Sequence, residues 1–259
     1  MKILIALALA CFAVTANAQV RCLNPGSLEI PPSPCCGQLH HQGLAGALGN
    51  MFNLMDIECK VNMFFDAILT DPDMLAFFNY ITGPEFRVLI LSVQNMPEFK
   101  DFMWYFCENL DLDGYLYLNT LGDILGTPRM PHPEGDHCHP EFPFPWTSQK
   151  ASPTSSLNKH KSVAVPFVSG VRKFMDDLQA EIPGDDIYDM WMYKVENDPY
   201  LCPGYKKLSS AEFRAIALKV EYDPEFIRFV DKLEEWGIEM KQFMDDLKWF
   251  LWEADYCRT

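Results

Sequence analysis

The sequence is poor in basic residues. Its 259 residues include 21 lysines and arginines against 36 aspartates and glutamates, and the formal net charge at pH 7 is −15. Such a surface repels the phosphates of nucleic acids and the anionic headgroups of membranes. We therefore predict no nucleic-acid partner, and we interpret the acidic surface as a source of solubility.

Long apolar runs are also absent after the first residues. A membrane-spanning helix needs about 20 consecutive apolar residues, and no later segment is that long and uncharged, so we predict no transmembrane segment. The chain lacks any Asn-x-Ser/Thr sequon, so N-linked glycans are not expected. It also lacks the sustained apolar–polar alternation that is typical of β-strands.

The beginning of the chain has the pattern of a secretory signal peptide. Lys2 precedes an apolar run over residues 3–14, which is too short to span a bilayer. Ala16-Asn17-Ala18 then matches the small-x-small site that signal peptidase cleaves. We predict that residues 1–18 are removed and that the mature protein is secreted.

The cysteine content fits that export. Nine cysteines are present, and Cys11 lies in the predicted signal peptide, which leaves an even number. An even number of cysteines in an exported chain indicates disulfides. The connectivity stays open. The candidates are Cys22, Cys35, Cys36, Cys59, Cys107, Cys138, Cys202 and Cys257.

The sequence offers no nucleophile–base pair and no firm metal-ligand set, so we predict a non-enzymatic protein without a metal or a cofactor. The strongest candidate for a metal site is the group His132, His137, Cys138 and His139. Imidazole and thiolate bind zinc or copper, but neighbouring side chains diverge. A disulfide at Cys138 beside solvated histidines is therefore favoured.

Two other patterns could carry chemistry. The pair Cys35-Cys36 lies close to His40-His41, which suggests a thiol–imidazole pair only weakly, because a disulfide is more typical of an exported protein. Paired carboxylates can perform acid–base catalysis, but solvated charge on a helix surface is the more common role. These pairs are Asp176-Asp177, Asp185-Asp186 and Asp245-Asp246.

The chain contains an internal repeat with an offset of 127 residues. Four matches share this register, which indicates a tandem duplication, and the period is too long for a solenoid unit. After about Phe106 the offset becomes 126. The matches are Asp71-Pro72 with Asp198-Pro199, Glu85-Phe86-Arg87 with Glu212-Phe213-Arg214, Pro97-Glu98-Phe99 with Pro224-Glu225-Phe226, and Phe102 with Phe229.

The repeated residues are typical of helix starts. Aspartate before proline is a preferred helix cap, and Ser/Thr followed three residues later by glutamate forms a capping box. The predicted caps are therefore Asp71 and Asp198, with capping boxes at Thr82 and Glu85 and at Ser209 and Glu212.

Apolar residues between these starts recur with helical spacing. The pattern predicts six short helices per copy. In the first copy they lie near residues 46–55, 59–69, 72–82, 84–95, 97–109 and 113–125. In the second copy they lie near residues 167–181, 185–196, 199–208, 211–222, 224–236 and 239–253.

These patterns predict an order of segments along the chain. The signal peptide is followed by a cysteine-rich segment, the first repeat, an exposed linker rich in proline and histidine, the second repeat and a short tail. The corresponding ranges are 1–18, 19–45, 46–126, 127–166, 167–253 and 254–259.

The order and spacing of several motifs resemble the insect allergen-related repeat family, which includes midgut microvillar and nitrile-specifier proteins. The resemblance covers roughly residues 45–128 and 167–253. In the first copy it rests on NYITGPEF (79–86), NMPEFK (95–100) and LGDILGTP (121–128). In the second copy it rests on FMDDLQAEIP (174–183). The cysteines, the linker and the N-terminal segment depart from the family pattern.

The resemblance implies a fold and a function. We expect an all-α protein in which two tandem six-helix repeats form one capsule with a large internal apolar cavity. The implied partners are fatty acids or phospholipids, in a protein secreted by gut epithelium and without catalytic residues. The oligomeric state stays open. The expected lining residues are Phe64, Phe65, Phe77, Phe78, Phe86, Phe99, Phe102, Phe106, Trp191, Phe213, Phe226, Phe229 and Phe243.

Other interpretations remain open at this point. The same aromatic stripes are compatible with an ordinary filled core, which periodicity alone favours. A structural protein of the gut lining or a salivary secretion would also explain the cysteines. The family further suggests an accessory protein in detoxification, of the nitrile-specifier type.

Overall fold

The structure is a computed structural model, and it describes residues 35–36, 42–135, 138, 169–254 and 256–257. The predicted signal peptide, most of the N-terminal segment and most of the linker lie outside these residues. Within them the secondary structure is helical and no strand is present. The all-α prediction is therefore confirmed.

Twelve α-helices follow one another along the described ranges. In the first copy they are α1 (Gly43–Leu54), α2 (Ile57–Thr70), α3 (Pro72–Ile81), α4 (Pro84–Asn95), α5 (Pro97–Leu110) and α6 (Gly114–Leu125). In the second copy they are α7 (Ser169–Ala180), α8 (Gly184–Asn197), α9 (Leu201–Leu208), α10 (Ala211–Glu221), α11 (Pro224–Glu235) and α12 (Met240–Lys248). A π-helical turn, Trp249–Glu253, continues α12.

Each predicted segment coincides with one helix, and each helix of the second copy is the repeat of the helix six places earlier. Four boundaries within the described residues differ by two residues or more, and one of them is the start of α2, which lies at Ile57 instead of residue 59. Helix α1 begins earlier, inside the predicted cysteine-rich segment, and α9 begins two residues late. The last predicted helix is divided into α12 and the π-helical turn.

The aspartate–proline caps are confirmed in the first copy but not in the second. The Asp71 carboxylate accepts hydrogen bonds from the backbone N–H groups of Asp73 and Met74, and Pro72 starts α3. Asp198 also accepts from a backbone N–H, that of Tyr200, at 2.9 Å. Helix α9 nevertheless starts only at Leu201. Residues 199–200 form a turn instead of the first helical turn.

The predicted capping boxes are wrong in detail. The Thr82 hydroxyl donates back to the carbonyl of Phe78 at the end of α3, and Gly83 occupies the cap position of α4 without a side-chain bond. In the second copy the cap is Ser210 instead of Ser209, with its hydroxyl accepting from the N–H of Phe213. The rule selects the right turn but the wrong residue, because Thr82 and Ser209 each lie at the end of the preceding helix.

The two copies pack with pseudo-two-fold symmetry. Helix α5 packs on α10 and helix α4 packs on α11, which are the same contact with the copies exchanged. The pairs α1–α9 and α3–α7 are related in the same way, as are α1–α8 and α2–α7. This reciprocal pattern is that of an isologous dimer, here built within one chain. The largest core cluster accordingly contains residues of both copies, for example Phe64, Phe77, Phe174 and Trp236.

Five described residues at the start of the linker are exposed and four are buried, so the prediction of an exposed linker is wrong only at the buried positions. Met130 is 2 % exposed, His132 is 4 % exposed and Cys138 has no exposed surface. The Asn119 side chain holds this stretch against α6, accepting from the Met130 N–H at 2.7 Å and donating to its carbonyl at 3.0 Å. Residues 139–166 lie outside the described part.

Candidate functional site

A band of six phenylalanines lies where the two copies meet, and we call it the aromatic band. Its rings obey the pseudo-two-fold symmetry. Phe86 contacts Phe229 with ring centroids 6.1 Å apart, and the repeat-equivalent pair, Phe213 and Phe102, is 5.6 Å apart. The other members are Phe99 and Phe226, each about 6 Å from the next phenylalanine on its own helix.

The expected lining residues fall into two groups. Every one of them lies in a core cluster, packs against one or lines the small cavity described below. Five are buried, namely Phe64, Phe77, Phe86, Phe213 and Phe243. The others keep accessible surface although they contact the core, namely Phe65, Phe78, Phe99, Phe102, Phe106, Trp191, Phe226 and Phe229. Half-buried aromatic rings beside a core present apolar surface that neighbouring side chains do not cover.

Not all of these residues meet in one place. Phe64 and Phe77 lie among α2, α3 and α7, where Phe64 contacts Phe174 at 5.8 Å. Trp191 lies in the second copy, where its ring contacts Phe250 at 5.3 Å and Tyr205 at 6.0 Å. The structure therefore brings together the aromatic band and places the remaining residues around it.

Several members of the apolar interior are not among the expected lining residues. Trp236 is 7 % exposed and contacts Phe77 at 5.6 Å and Tyr80 at 5.2 Å. It continues the helical stripe of α11, and this spacing was the signal that could have identified it. Valines and a methionine also pack against the aromatic band, namely Val93, Met96 and Val220.

A small cavity of about 20 Å³ lies between α7 and the start of α12. Met175, Ile238, Met240 and Phe243 supply apolar walls, and Arg172 lies at the rim. The guanidinium of Arg172 is paired with the Glu239 carboxylate at 2.7 Å. This space has room for about one water molecule and is too small for an acyl chain.

The copies are joined at two repeat-equivalent glycines. The backbone N–H of Gly43, at the start of α1, donates to the Asp198 carboxylate of the second copy at 2.7 Å. The N–H of Gly170, at the start of α7, donates to the Asp73 carboxylate of the first copy at 3.2 Å. Each copy thus places a carboxylate at the positive N-terminal end of a helix of the other copy.

Buried charge supports the first of these joints. The Lys194 ammonium lies 3.7 Å from the Asp198 carboxylate, and the side chains are 10 % and 7 % exposed. Asp198 therefore accepts from Gly43, accepts from Tyr200 and pairs with Lys194. A buried carboxylate is stable only with such partners.

Three disulfides join described residues, which confirms the disulfide prediction in part. Cys35 pairs with Cys138, Cys36 pairs with Cys107 and Cys202 pairs with Cys257. Cys59 is also disulfide-bonded. Cys22 lies outside the described residues.

Two groups of potential metal ligands surround these disulfides. Cys35, Cys138, His132 and Glu134 have ligand atoms within 4.8 Å of one another, and so do Cys36, Cys107 and His132. The sulfur atoms are bonded in disulfides and are not available as thiolates. His137 and His139 lie outside the described residues, as do His40 and His41.

Tyr115 lies beside His132, with ring centroids 4.7 Å apart. Burial, together with the negative charges of Asp113 and Asp101, raises the pKa of Tyr115 to about 12. The side chain is 1 % exposed. A phenol so shielded stays neutral at physiological pH, and it packs as an apolar ring against the loop.

The acidic pairs lie on the surface. All six carboxylate residues are exposed, and two of them bind lysines, Asp177 with Lys173 and Asp245 with Lys248. None of the six belongs to a group of potential metal ligands among the described residues. Their arrangement is that of solvated charge on helix surfaces.

Comparison with known proteins identifies one family. A family model described as "Insect allergen related repeat, nitrile-specifier detoxification" matches residues 43–244, which span most of the chain and both copies. No curated protein sequence matches the chain. In the described residues, no helix is long and apolar enough to cross a membrane.

Proposed function

The chain belongs to the insect allergen related repeat family, and from that premise we propose that it is a secreted, non-enzymatic carrier of fatty acids and other apolar molecules. The aromatic band carries this proposal. Its rings come from both copies and four of its six members keep accessible surface, so an acyl chain inserted between the copies would meet apolar surface on both sides.

Hydrophobic transfer supplies the binding free energy in this proposal. Each methylene that leaves water contributes about 0.8 kcal/mol, so a long acyl chain binds without a directed polar contact. The band contains only phenylalanines, and the apolar residues Val93, Met96 and Val220 are among those that pack against it. Specificity is then set by chain length and shape, and a range of cargoes is accepted.

Secretion and a digestive-tract setting belong to the same proposal. The disulfides between described residues are compatible with an oxidising compartment. The net charge of −15 keeps such a protein soluble among other secreted proteins. The digestive-tract setting rests on the family resemblance alone.

A second candidate function comes from the family description, which names nitrile-specifier detoxification. A protein of that type redirects the breakdown of a plant defence compound. Adding the purified chain to a glucosinolate breakdown reaction tests it. A shift of the product from isothiocyanate to nitrile would favour this candidate over the carrier.

The carrier proposal is tested by titrating the purified chain with a fluorescent fatty acid. The double variant Phe102→Ala, Phe229→Ala removes one ring of each reciprocal pair of the aromatic band, and we expect binding about tenfold weaker because apolar contact is lost. The control is Leu69→Ala, since Leu69 is 79 % exposed and lies outside the band. Absence of saturable binding by the unaltered protein, or equal affinity of the double variant, contradicts the proposal.

A further inference from the structure

Two disulfides and one histidine meet at the edge of the first copy. The Cys36 Sγ lies 3.2 Å from His132 Nε2, and the Cys107 Sγ lies 3.9 Å from the same nitrogen. Cys36 is 3 % exposed, Cys107 is 6 % exposed and His132 is 4 % exposed. The second disulfide, Cys35–Cys138, shares the same histidine.

The imidazole is fixed in this position from several sides. Tyr115 and Trp104 contact its ring edge to face, with centroids 4.7 Å and 6.2 Å away. Its Nδ1 accepts a hydrogen bond from the backbone N–H of Glu134 at 3.1 Å. With the Cys36–Cys107 disulfide formed, these contacts hold Nε2 towards the two sulfur atoms.

Reduction changes the chemistry of this cluster. A disulfide sulfur is a poor metal ligand, whereas a thiolate binds zinc strongly, and two thiolates with one imidazole are a common part of tetrahedral zinc sites. The Cys35 and Cys138 sulfur atoms add two more thiols nearby when their own disulfide is reduced. The chain thus carries a set of soft ligands that its disulfides keep unavailable.

We propose that the reduced protein binds one zinc ion at Cys36, Cys107 and His132, with the fourth position open to water. Reduction by a dithiol transfers two electrons and two protons to the Cys36–Cys107 bond and leaves the dithiol as its own disulfide. Zinc then displaces one proton from each thiol. His132 binds through the Nε2 lone pair, so its proton moves to Nδ1 and the hydrogen bond from Glu134 is given up to water.

The proposal implies two forms of the link between the N-terminal segment and α5. In the oxidised protein the Cys36–Cys107 bond joins the N-terminal segment to α5 covalently. In the reduced protein the zinc ion joins the same residues and also the loop that carries His132. The inference does not depend on the carrier function, because it concerns only the cysteines, His132 and their surroundings.

The experiment compares zinc binding by the full chain before and after reduction. The protein is reduced with a phosphine under inert gas, the phosphine is removed, and zinc is titrated against a chromogenic chelator. Cobalt is used as a second probe, because its visible bands report thiolate ligands. We expect one equivalent bound by the reduced protein and none by the oxidised protein.

Variants separate this site from other thiols. The pair Cys36→Ser, Cys107→Ser abolishes binding, and His132→Ala weakens it at least about tenfold. The matched control is Cys202→Ser, Cys257→Ser, which removes the disulfide of the second copy and leaves binding unchanged.

Several outcomes overturn the proposal. These are equal binding by the oxidised protein, unchanged affinity of His132→Ala after reduction, and loss of binding in the Cys202, Cys257 control. Circular dichroism follows each sample. Reduced protein that loses its helices and regains them when zinc is added supports the site. Reduced protein that loses its helices and regains them with neither zinc nor cobalt refutes it.

Discussion

The Asp198 side chain stabilises both a local turn and the contact between the two copies. Its carboxylate accepts from Tyr200 in the local turn, accepts from Gly43 at the start of α1 and pairs with Lys194. The sequence marked this residue because aspartate before proline recurs at the same offset in both copies. The reason for the recurrence is only partly local capping, since the partner helix of the other copy is also involved.

Removing this carboxylate tests its importance for stability. The variant Asp198→Ala leaves the Lys194 ammonium buried without a partner and leaves the Gly43 N–H unsatisfied. We expect the free energy of unfolding in urea to fall by about 2 to 3 kcal/mol. Asp189→Ala, at an exposed position of α8, is the control and changes it by less than about 0.5 kcal/mol. Equal effects of the two variants would contradict the assigned role.

Tyr115 gives a pH-dependent prediction. Burial raises its pKa from the ordinary 10.0 to about 12 in the folded protein, so the folded state holds the phenol proton more tightly than the unfolded state. The contribution of this difference to the free energy of unfolding is fully present below pH 10. It is lost as the pH rises towards 12, and the loss amounts to about 2 to 3 kcal/mol. Urea unfolding at several alkaline pH values measures it. The decline should be shallower in Tyr115→Phe and unchanged in the exposed control Tyr193→Phe; parallel curves for all three proteins would refute this interpretation.

At the scale of the elements, the helix starts were predictable where a proline occupies the first helical position. Pro72, Pro84, Pro97 and Pro224 each begin a helix, because proline has no N–H to satisfy and its φ is already helical. The start of α9 was not predictable. There the aspartate is engaged by a helix of the other copy, which is a contact between residues 155 positions apart.

The repeat-equivalent glycines that start α1 and α7 are constrained in different ways. Gly43 has a φ of +59°, which side-chain-bearing residues rarely adopt. Gly170 has no such φ, but a Cβ there would lie 2.6 Å from the Asp71 Oδ2 atom. One glycine is required by backbone conformation and the other by the close approach of the first copy.

Alanine substitutions distinguish these constraints. Gly43→Ala should lower the free energy of unfolding by about 1 to 2 kcal/mol because of the left-handed φ. Gly170→Ala should lower it by about 1 to 3 kcal/mol, since the carboxylates must move. Gly184→Ala is the control, as no atom lies within 4 Å of its Cβ position. We expect that variant to be neutral or slightly stabilising; destabilisation as large as in the other two would contradict the account.

At the scale of the whole molecule, the duplication explains the architecture. Two copies of one six-helix unit present the same apolar faces, so the contact that buries a face of one copy also buries the equivalent face of the other. The reciprocal pairs Phe86–Phe229 and Phe102–Phe213 follow from this symmetry. The sequence predicted the repeat and the residues, because identical spacings recur at a fixed offset.

The sequence could not predict how the interior is filled. Helical periodicity indicates which face of a helix points inward. The periodicity is the same whether a side chain on that face packs against another side chain or contacts a guest molecule. The structure separates buried rings such as Phe213 from half-buried rings such as Phe102. The disulfide pairing was also beyond sequence reasoning, because it depends on how the segments around His132 are brought together.

The central proposal is that apolar molecules bind between the two copies, and the lipid content of the purified protein tests it most directly. The chain is expressed by secretion, purified without detergent, extracted with organic solvent, and its fatty acids are quantified by mass spectrometry against protein concentration. The account predicts fatty acids in at least equimolar amount, which are lost from the Phe102→Ala, Phe229→Ala variant more readily than from Leu69→Ala. A protein that carries no lipid, and that takes up none when fatty acid is added, would contradict it.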